Sequence, residues 1–308
     1  MNQTMANRVQ ATFTLSFDCE GRWGMADHLT PDLSAQLTNA ALNDVYRQLL
    51  ALLAQYDLPA TFAFVAAHTL SPAEYQAHPE LLPPLTGPAQ QWLNPIQQTL
   101  DRGEVDGWLN PEALALVAAA GRHEIASHSH RHIPGYLLSD MQFAAELARA
   151  NEVAALKGVR WETFIYPRNQ ICYPELLGPA GILAYRGRPA YGHSRPLNLL
   201  HEFNLWAGGE TMSAASPLVL PAGHFLNWRA GPRRLVPTAV TVRRWRNMLA
   251  RAMAYGQSVH LWSHPHNFLT GRRQFELLVR ILDLVAAARA TGRLRPLTQR
   301  ELALKATN

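Results

Sequence analysis

Two acidic residues near the start of the chain could together hold a cation. Asp18 and Glu20 stand at the end of the strictly alternating segment Thr12–Asp18. Because alternate residues of a strand share one face, both carboxylates are expected to point into one cavity. Two acids that close in a partly buried site repel each other unless a cation holds one of them. The pattern fits a functional site, and it also fits a solvated acidic strand end.

Three histidines follow a predicted strand in the run Ser127–His132. His128 and His132 are four residues apart, so one turn of helix would bring both imidazoles to the same side. With a remote carboxylate they would make a metal site that keeps open positions for water and substrate. His130 falls off the shared face and is predicted to be a non-ligand. A lone histidine is usually a packed or surface residue, but this clustering favours metal binding.

Two further predicted strand ends carry polar residues. Pro167 breaks one strand just before Arg168 and Asn169, which sets both side chains at the rim. Arg168 could orient a carboxylate such as that of Asp18 with two parallel hydrogen bonds, although an ordinary surface arginine would look the same. At the other strand end, His264 is placed to donate a proton, because histidine titrates near neutral pH. A structural histidine is the alternative for this residue.

The elements that position these residues alternate between short β-rich runs and helical stretches. We predict strands at 12–18, 60–65, 123–127, 162–166, 182–186, 202–206 and 258–263. We predict helices at 34–56, 111–120, 139–157, 240–255 and 272–290, and a capping box of Ser139 and Gln142 begins the third. Strands alternating with helices indicate a parallel sheet, and about seven such units favour an α/β barrel over an open sheet. Catalytic groups of such barrels lie at the carboxyl ends of the strands.

Two stretches interrupt this alternation. Residues 71–110 are rich in proline, glycine and glutamine, and residues 187–238 are irregular and contain several prolines. Long loops in a compact domain are usually lids or binding walls, with tolerated surface insertions as an equal alternative. We expect a single catalytic domain over 1–308 with loop insertions near 71–110 and 187–238.

The composition excludes several classes of protein. A hydrophobic fraction of 48% beside 17% charged residues indicates a sizeable core rather than a disordered chain. No apolar run approaches the roughly 18–20 residues that span a bilayer. The first residues do not resemble a secretory signal, and two cysteines are too few for a disulfide framework. These features lead us to expect a cytoplasmic protein.

Arginine supplies most of the formal net charge of +5. The arginines cluster at Arg233 and Arg234, at Arg243, Arg244 and Arg246, and at Arg272 and Arg273. These clusters fit a solvated surface, and they also fit attraction to anionic lipid or to a phosphorylated substrate. Nucleic acid is not expected as a partner, because the sequence has neither zinc-finger spacing nor an RNP-like motif.

The order of these motifs resembles the NodB-type polysaccharide deacetylases, carbohydrate esterase family four. Asp-x-Glu at 18–20 is followed by His-Ser-x-x-His at 128–132, by a Pro-Arg turn at 167–168 and by a late strand-end histidine. The resemblance implies a distorted (β/α)7 barrel that hydrolyses N- or O-acetyl groups of carbohydrates with one divalent metal ion, often zinc. By resemblance the metal ligands are Glu20, His128 and His132. Asp18 is then the catalytic base, and His264 protonates the leaving group.

The sequence departs from the family pattern in two motifs. The commoner first motif has adjacent aspartates, whereas Cys19 separates the acids here, as in a D-x-[DE] subgroup. The usual third motif has arginine before its prolines, whereas Arg168 follows Pro167, so its contact with Asp18 is an inference. The stretch Phe17–Gly24 is similar to deacetylases encoded with lipopolysaccharide and O-antigen genes.

The resemblance and the expected compartment together suggest a substrate. A cytoplasmic deacetylase would meet a nucleotide-linked or lipid-linked amino sugar before export, in bacterial surface polysaccharide or lipopolysaccharide biosynthesis. Phosphate in either carrier, or an anionic inner membrane face, would give the arginines a use. We expect the sugar site to be lined by Trp23, Arg168, Asn169 and Trp262.

Two other functions are weighed against N-deacetylation. One is a deformylase or another amidase that acts on a lipid-linked sugar. The other is a non-catalytic carbohydrate-binding barrel, which is disfavoured because Asp18 and His264 are both present beside the expected ligands.

Overall fold

Parallel strands form the sheet that carries the site. The computed structural model describes residues 10–189, 199–213 and 215–307. Its strands are β1 (Ala11–Cys19), β2 (Thr61–Phe64), β3 (Glu124–Ser127), β4 (Thr163–Phe164), β5 (Ala184–Arg186), β6 (Leu218–Leu220), β7 (His224–Phe225), β8 (Ser258–Ser263) and β9 (Leu294–Leu297). Their order is β6-β5-β4-β3-β2-β1-β8-β7, and β9 also pairs with β1. Over the described ranges no ladder joins β6 to β7, so the barrel is open between them.

Helices follow most of the strands and cover the sheet. They are α1 (Pro31–Gln36), α2 (Asn39–Gln55), α3 (Pro72–Ala77), α4 (Gly87–Asp101), α5 (Pro111–Ala120), α6 (Asp140–Leu156), α7 (Thr238–Tyr255), α8 (Asn267–Thr270), α9 (Gln274–Ala290) and α10 (Gln299–Thr307). The predicted capping box of α6 is confirmed, since Ser139 and Gln142 bond to each other's backbone N–H groups. Where the chain is described, none of these helices has both the length and the apolar character needed to cross a bilayer.

The parallel register brings the chemically interesting residues to one edge of the sheet. Asp18 pairs with Ala63 of β2, and β2 in turn ends level with Ser127 of β3. On the other side of β1, Phe17 pairs with Ser263 at the end of β8. Because parallel strands share one carboxyl edge, the residues after β1, β3 and β8 converge there.

Strand β1 is buried along its whole length, and its alternation separates an apolar from a polar face. On the apolar face, the ring of Phe17 stacks on that of Phe62 at 5.0 Å. On the polar face, the Ser16 hydroxyl lies 2.8 Å from His260 Nε2. Buried polar groups are normally hydrogen-bonded. The alternation of β1 therefore separates a buried apolar face from a buried, hydrogen-bonded polar face, and neither face is exposed to solvent.

The predicted class, an α/β barrel with a parallel sheet, is confirmed, and one predicted strand is wrong. Residues 202–206 form turns beside α7, with the Asn247 side chain donating to the Leu205 carbonyl 3.1 Å away. The alternation of apolar residues there does not reflect a buried strand, since Phe203 and Trp206 are exposed. The sequence prediction also missed the short strands β6, β7 and β9 and the last helix, α10.

The first expected insertion is not a loop throughout. Residues 71–110 contain α3 and α4, and α4 buries Leu93, Ile96 and Leu100 at helical spacing. Proline near the first position of each helix favours its start, although it looked like a loop signal in the sequence. Part of the second expected insertion, residues 190–198 and 214, lies outside the described residues.

Candidate active site

Glu20 is the centre of a group of histidines at the carboxyl edge of the sheet. Its Oε2 lies 2.9 Å from His132 Nε2 and 3.3 Å from His128 Nε2. Its Oε1 lies 3.5 Å from His264 Nε2. A Cβ added to Gly24 would lie 2.0–2.5 Å from the carboxylate atoms of Glu20, so only glycine leaves room for this side chain. The short loop after β1 is therefore built around the Glu20 carboxylate.

His128 and His132 converge without a helix. The predicted helical turn is wrong: Ser129 and His132 have φ values of 67° and 52°, and the segment is a bend. The Ser129 hydroxyl accepts a hydrogen bond from the His132 backbone N–H at 3.1 Å, which closes the bend. The two imidazole centroids are 4.9 Å apart as a result. His130 turns away, and its Nε2 lies 2.7 Å from the Leu81 carbonyl oxygen.

The tautomer of the neutral His128 ring is set by its surroundings. Its Nδ1 lies 2.8 Å from the Ile165 carbonyl oxygen, which can only accept, so Nδ1 carries the proton. The lone pair of Nε2 therefore faces Glu20. A carbonyl that fixes the imidazole in this way is the usual outer partner of a metal-ligating histidine.

Glu20, His128 and His132 fit a divalent metal ion. One oxygen and two nitrogens from these residues lie within 4.8 Å of one another, and all three side chains are buried. His132 Nδ1 makes no hydrogen bond, although buried polar atoms are normally satisfied, and His132 Nε2 has only the Glu20 carboxylate as its polar neighbour. A carboxylate with two neutral imidazoles is a known donor set for catalytic zinc.

Asp18 is held by an arginine that the sequence prediction missed. Arg186, the last residue of β5, donates to Asp18 Oδ1 at 2.8 Å and to Oδ2 at 2.7 Å. The guanidinium also donates to Asn169 Oδ1 at 2.8 Å and lies 4.4 Å from the centre of the Trp262 ring. The Arg186 guanidinium is itself held by Asn169 and by the Trp262 ring, so its two hydrogen bonds fix the orientation of the Asp18 carboxylate.

The contact predicted between Arg168 and Asp18 is wrong. Arg168 has a φ of 56° in the turn after β4, which directs its side chain to Asp27. Its guanidinium also lies 5.0 Å from the centre of the Trp92 ring. Arg168 lines the same cleft as Asp18 but does not orient it.

Both carboxylates at the site stay ionised. Burial alone would raise the pKa of Asp18, but Arg186, together with His128 and His264, holds it below the ordinary value. Burial also opposes ionisation of Glu20, and His264, His132 and His128 outweigh it, so the pKa of Glu20 lies well below its usual range. Asp18 can therefore accept a proton near neutral pH.

Replacing Arg186 with methionine should raise the pKa of Asp18. The arginine depresses that pKa in the wild type, and a base works only when it is ionised. The acidic limb of the kcat/KM profile should therefore move to higher pH in Arg186→Met. Arg168→Met removes one positive charge from the same cleft and should leave that limb in place. If the acidic limb moved in Arg168→Met and not in Arg186→Met, Arg168 would be the residue that contacts Asp18, as expected from the sequence.

His264 and His266 form a second histidine pair after β8. His264 Nε2 lies 3.9 Å from Asp18 Oδ2, and its Nδ1 lies 3.2 Å from the Asn267 side-chain nitrogen. Its side chain is 20% exposed, so it faces the open side of the cleft. His266 is buried, and its Nδ1 lies 3.9 Å from Glu20 Oε1. The sequence pattern predicts a site role only for His264 of this pair.

A cleft of about 270 Å³ opens over these residues. Asn169 and Trp262 line it as predicted, together with Met25, Phe225 and Trp228. Trp23 does not line the cleft as expected. Its ring is buried edge-on against Trp108, and its Nε1 donates to the Trp108 carbonyl at 2.8 Å. The aromatic wall therefore combines the predicted Trp262 with Phe225 and Trp228, which lie in a stretch predicted from the sequence to be irregular.

Known proteins share both sequence and fold with this chain. Residues 28–173 match the sequence profile of the polysaccharide deacetylase family. The match includes His128, His132 and Arg168 but not Asp18, Glu20 or His264. No curated protein is similar enough in sequence to count as a relative of the chain.

Three solved structures share the fold over almost the whole chain. A Mycobacterium smegmatis protein named as a polysaccharide deacetylase is 16% identical, with a TM-score of 0.64 over 98% of this chain and 92% of its own. A Pseudomonas aeruginosa PAO1 protein with the same designation is 12% identical, with a TM-score of 0.62 over 96% and 91%. The PuuE allantoinase is 13% identical, with a TM-score of 0.59 over 97% and 90%.

The profile match covers a little under half of the chain, whereas the likeness to solved structures extends over nearly all of it and concerns the fold. The matched segment contains His128 and His132, two of the three residues that could hold a metal ion together with Glu20. On this evidence the chain is similar to polysaccharide deacetylases in the sequence of residues 28–173 and in its fold.

Proposed function

We propose that this protein hydrolyses the N-acetyl group of an amino sugar in bacterial surface polysaccharide or lipopolysaccharide synthesis. The observation that carries the proposal is the arrangement around Glu20. An ionised carboxylate held by Arg186 lies on one side of the metal-ligating group, and His264 lies within 4 Å of both acids. This arrangement provides a base, an acid and a cation site in one cleft.

The metal ligands in this proposal are Glu20, His128 and His132, and the ion is zinc. A bound divalent ion would polarise the acyl carbonyl and lower the pKa of water. The Ile165 carbonyl keeps the His128 Nε2 lone pair available for it. Gly24 leaves the space that the Glu20 carboxylate occupies.

Asp18 takes the proton from the attacking water. The two hydrogen bonds from Arg186 occupy one lone pair on each carboxylate oxygen and leave a second lone pair for that proton. They also prevent rotation of the carboxylate, so its orientation is fixed before substrate binds. The new bond joins the water oxygen to the acyl carbon.

His264 supplies the proton that lets the amine leave. An amide nitrogen is a poor leaving group unless it is protonated as the C–N bond breaks. His264 is the partly exposed imidazole on the cleft side, and Asn267 hydrogen-bonds its Nδ1 and so directs Nε2 inward. The products are a carboxylate and a free amino sugar.

The substrate in this proposal is a nucleotide-linked or lipid-linked amino sugar at the cytoplasmic face. Phe225, Trp228 and Trp262 offer apolar surfaces to the sugar ring, and Arg168 and Asn169 offer polar contacts. A single catalytic domain over 1–308 is part of the same proposal.

The test is product analysis with metal-loaded enzyme. N-acetyl and N-formyl amino sugars, each as nucleotide and lipid-linked conjugates, are incubated with it, and acetate and formate are measured. Acetate release with formation of a free amine supports the proposal. Release of formate alone favours the deformylase. Binding of the sugars without release of either acid favours a non-catalytic carbohydrate-binding barrel.

A surface beside the cleft fits contact with an anionic membrane. Four large apolar side chains are exposed on it, namely Leu200, Phe203, Trp206 and Leu235. The neighbouring elements expose Arg234, Arg243 and Arg246. We call these seven residues the apolar–basic surface. Exposed apolar side chains flanked by cations suit the boundary between lipid head groups and acyl chains.

Arg233, the chain neighbour of Arg234, lies between the apolar–basic surface and the cleft. Arg233 lies 3.3 Å from Glu202, next to Phe203, and its guanidinium is 5.6 Å from the Phe225 ring centre. Phe225 lines the cleft. Arg244 does not belong to this surface, contrary to the arginine cluster seen in the sequence. It is buried and donates to Glu202 at 3.2 Å and to His224 at 2.9 Å.

Removing two arginines from the apolar–basic surface should weaken vesicle binding. Each arginine near an anionic membrane contributes about 1 kcal/mol, so Arg234→Ser with Arg246→Ser should lose up to roughly 30-fold in affinity. Co-sedimentation with phosphatidylglycerol vesicles measures this, and binding should fall as salt shortens the Debye length below about 10 Å. The control, Arg47→Ser with Arg102→Ser, has the same net charge. Equal behaviour of the two variants would indicate a merely solvated basic surface.

A further inference from the structure

The two oxygens of the Glu20 carboxylate face two different histidine pairs. Oε2 faces His128 and His132, the pair assigned above to the metal. Oε1 faces His264 at 3.5 Å and His266 at 3.9 Å. The donor atoms of Glu20, His264 and His266 also lie within 4.8 Å of one another. The Glu20 carboxylate therefore belongs to two possible metal-binding groups, each made of this one carboxylate and two imidazoles.

His266 has no part in the proposed reaction, yet it is aimed into the cleft. Its side chain is 6% exposed, and its Nδ1 has no hydrogen-bond partner. A buried imidazole nitrogen without a partner loses its hydration without compensation. The His266 ring stacks on that of His264 with centroids 4.9 Å apart and planes 16° apart, so the two rings present their inner edges side by side. A cation in front of them would satisfy both.

We infer that Glu20, His264 and His266 form a second divalent-cation position, which inhibits the enzyme when it is filled. The inhibitory part of this inference rests on the proposed function, in which His264 is the acid. Glu20 would bridge the two positions, with one oxygen toward each. Bridged ions in two-metal hydrolases lie about 3.5–4 Å apart, a spacing that one carboxylate can span.

The second position should fill only after the first. The first ion already neutralises the single negative charge of Glu20. A second cation a few ångströms away would also be repelled by the first cation. The guanidinium of Arg186 offsets the charge of Asp18, the other nearby acid, at 2.7 Å. His264 is reachable from solvent, so the second ion can exchange freely.

Filling the second position removes the proton donor. To bind the cation through Nε2, His264 would carry its ring proton on Nδ1, with the Asn267 amide turned so that its oxygen accepts that proton. A nitrogen that holds a cation cannot carry the proton that the leaving amine needs. Activity should therefore rise with metal concentration up to one ion per chain and fall as the second ion binds.

The experiment is a zinc titration of the full chain, followed by bound-metal analysis and by activity. Wild type should reach about two ions per chain, as in carboxylate-bridged sites, and should be inhibited by the second. His266→Phe keeps a stacked ring but removes the ligand. It should stop at about one ion and lose the inhibition by excess zinc. His78→Phe, a substitution of an exposed histidine, should behave as wild type.

A second measurement does not depend on any variant. Wild type loaded with Mn²⁺ should give the electron paramagnetic resonance spectrum of a spin-coupled pair, because a bridging carboxylate couples the ions. A single-ion spectrum at saturating Mn²⁺, or wild-type binding that stops at one ion, would overturn the second position. Failure of the proposed function looks different, since no acid would then be released at one ion per chain.

Discussion

His128→Ala and His132→Ala are each expected to lose tightly bound metal and nearly all acyl hydrolysis. Each removes one of two neutral nitrogen donors from a buried group that keeps a single carboxylate. Loss of an outer partner of a metal ligand already costs about 10–100-fold in metal affinity or activity, and loss of the ligand itself should cost more. Metal should be measured at concentrations that fill only the tighter position.

The matched control comes from the same loop. His130→Gln replaces a histidine that lies between the two proposed ligands but hydrogen-bonds to the Leu81 carbonyl instead. Glutamine can still donate to that carbonyl, so this variant should keep metal and activity. Full metal occupancy in the His128→Ala/His132→Ala double variant would rule out the assignment of these ligands. Loss of metal in His130→Gln as well would point to loop misfolding rather than to ligand loss.

Local patterns in the sequence predicted the strands that carry the site. Residues 12–18 alternate because β1 has apolar side chains on one buried face and polar side chains on the other. This alternation could be recognised from the sequence of β1 alone. The convergence of Glu20 with His128 and His132 follows from the shared carboxyl edge of parallel strands. The local geometry of the histidines was wrong, since positive φ values at Ser129 and His132 replace the expected helical turn.

The partner of Asp18 could not be read from local sequence. Arg186 is 168 positions away and reaches Asp18 because β5 ends at the same edge of the sheet. The nearer family motif directed attention to Arg168, whose positive φ turns it to Asp27 instead. Arg186 could have been identified from its position at the end of a predicted buried strand. A buried arginine needs an acidic partner, which would have pointed to Asp18.

Aromatic residues were the least predictable part of the cleft. Trp23 follows the acidic motif closely, but its Nε1 finds a backbone carbonyl and its ring finds Trp108 in the core. Phe225 and Trp228 line the cleft, but they lie in a proline-rich stretch in which β7 was not predicted from the sequence. Aromatic side chains suit both cores and sugar sites, so residue type alone does not distinguish the two uses.

Asp18→Asn and Glu20→Gln should fail in different ways, although the two residues are close in sequence and in space. Asparagine cannot act as a general base, whose loss costs roughly 10²–10⁴-fold in rate. Asp18 lies on the Arg186 side of the site, so Asp18→Asn should keep near-stoichiometric metal with almost no acyl release. Glutamine at position 20 keeps the shape but removes the charge that holds the cation. Glu20→Gln should therefore lose metal on mild chelation and regain part of its activity when metal is added back.

The comparison is made by measuring metal content and acyl release on the same preparations before and after dialysis against chelator. Arg186→Met provides a useful third variant, because it perturbs Asp18 without touching the donor atoms of Glu20, His128 or His132. It should resemble Asp18→Asn in retaining metal, with activity that recovers as the pH is raised to ionise Asp18. A metal-poor Asp18→Asn beside a metal-replete Glu20→Gln would reverse the two roles, since the ion would then be held on the Arg186 side of the cleft.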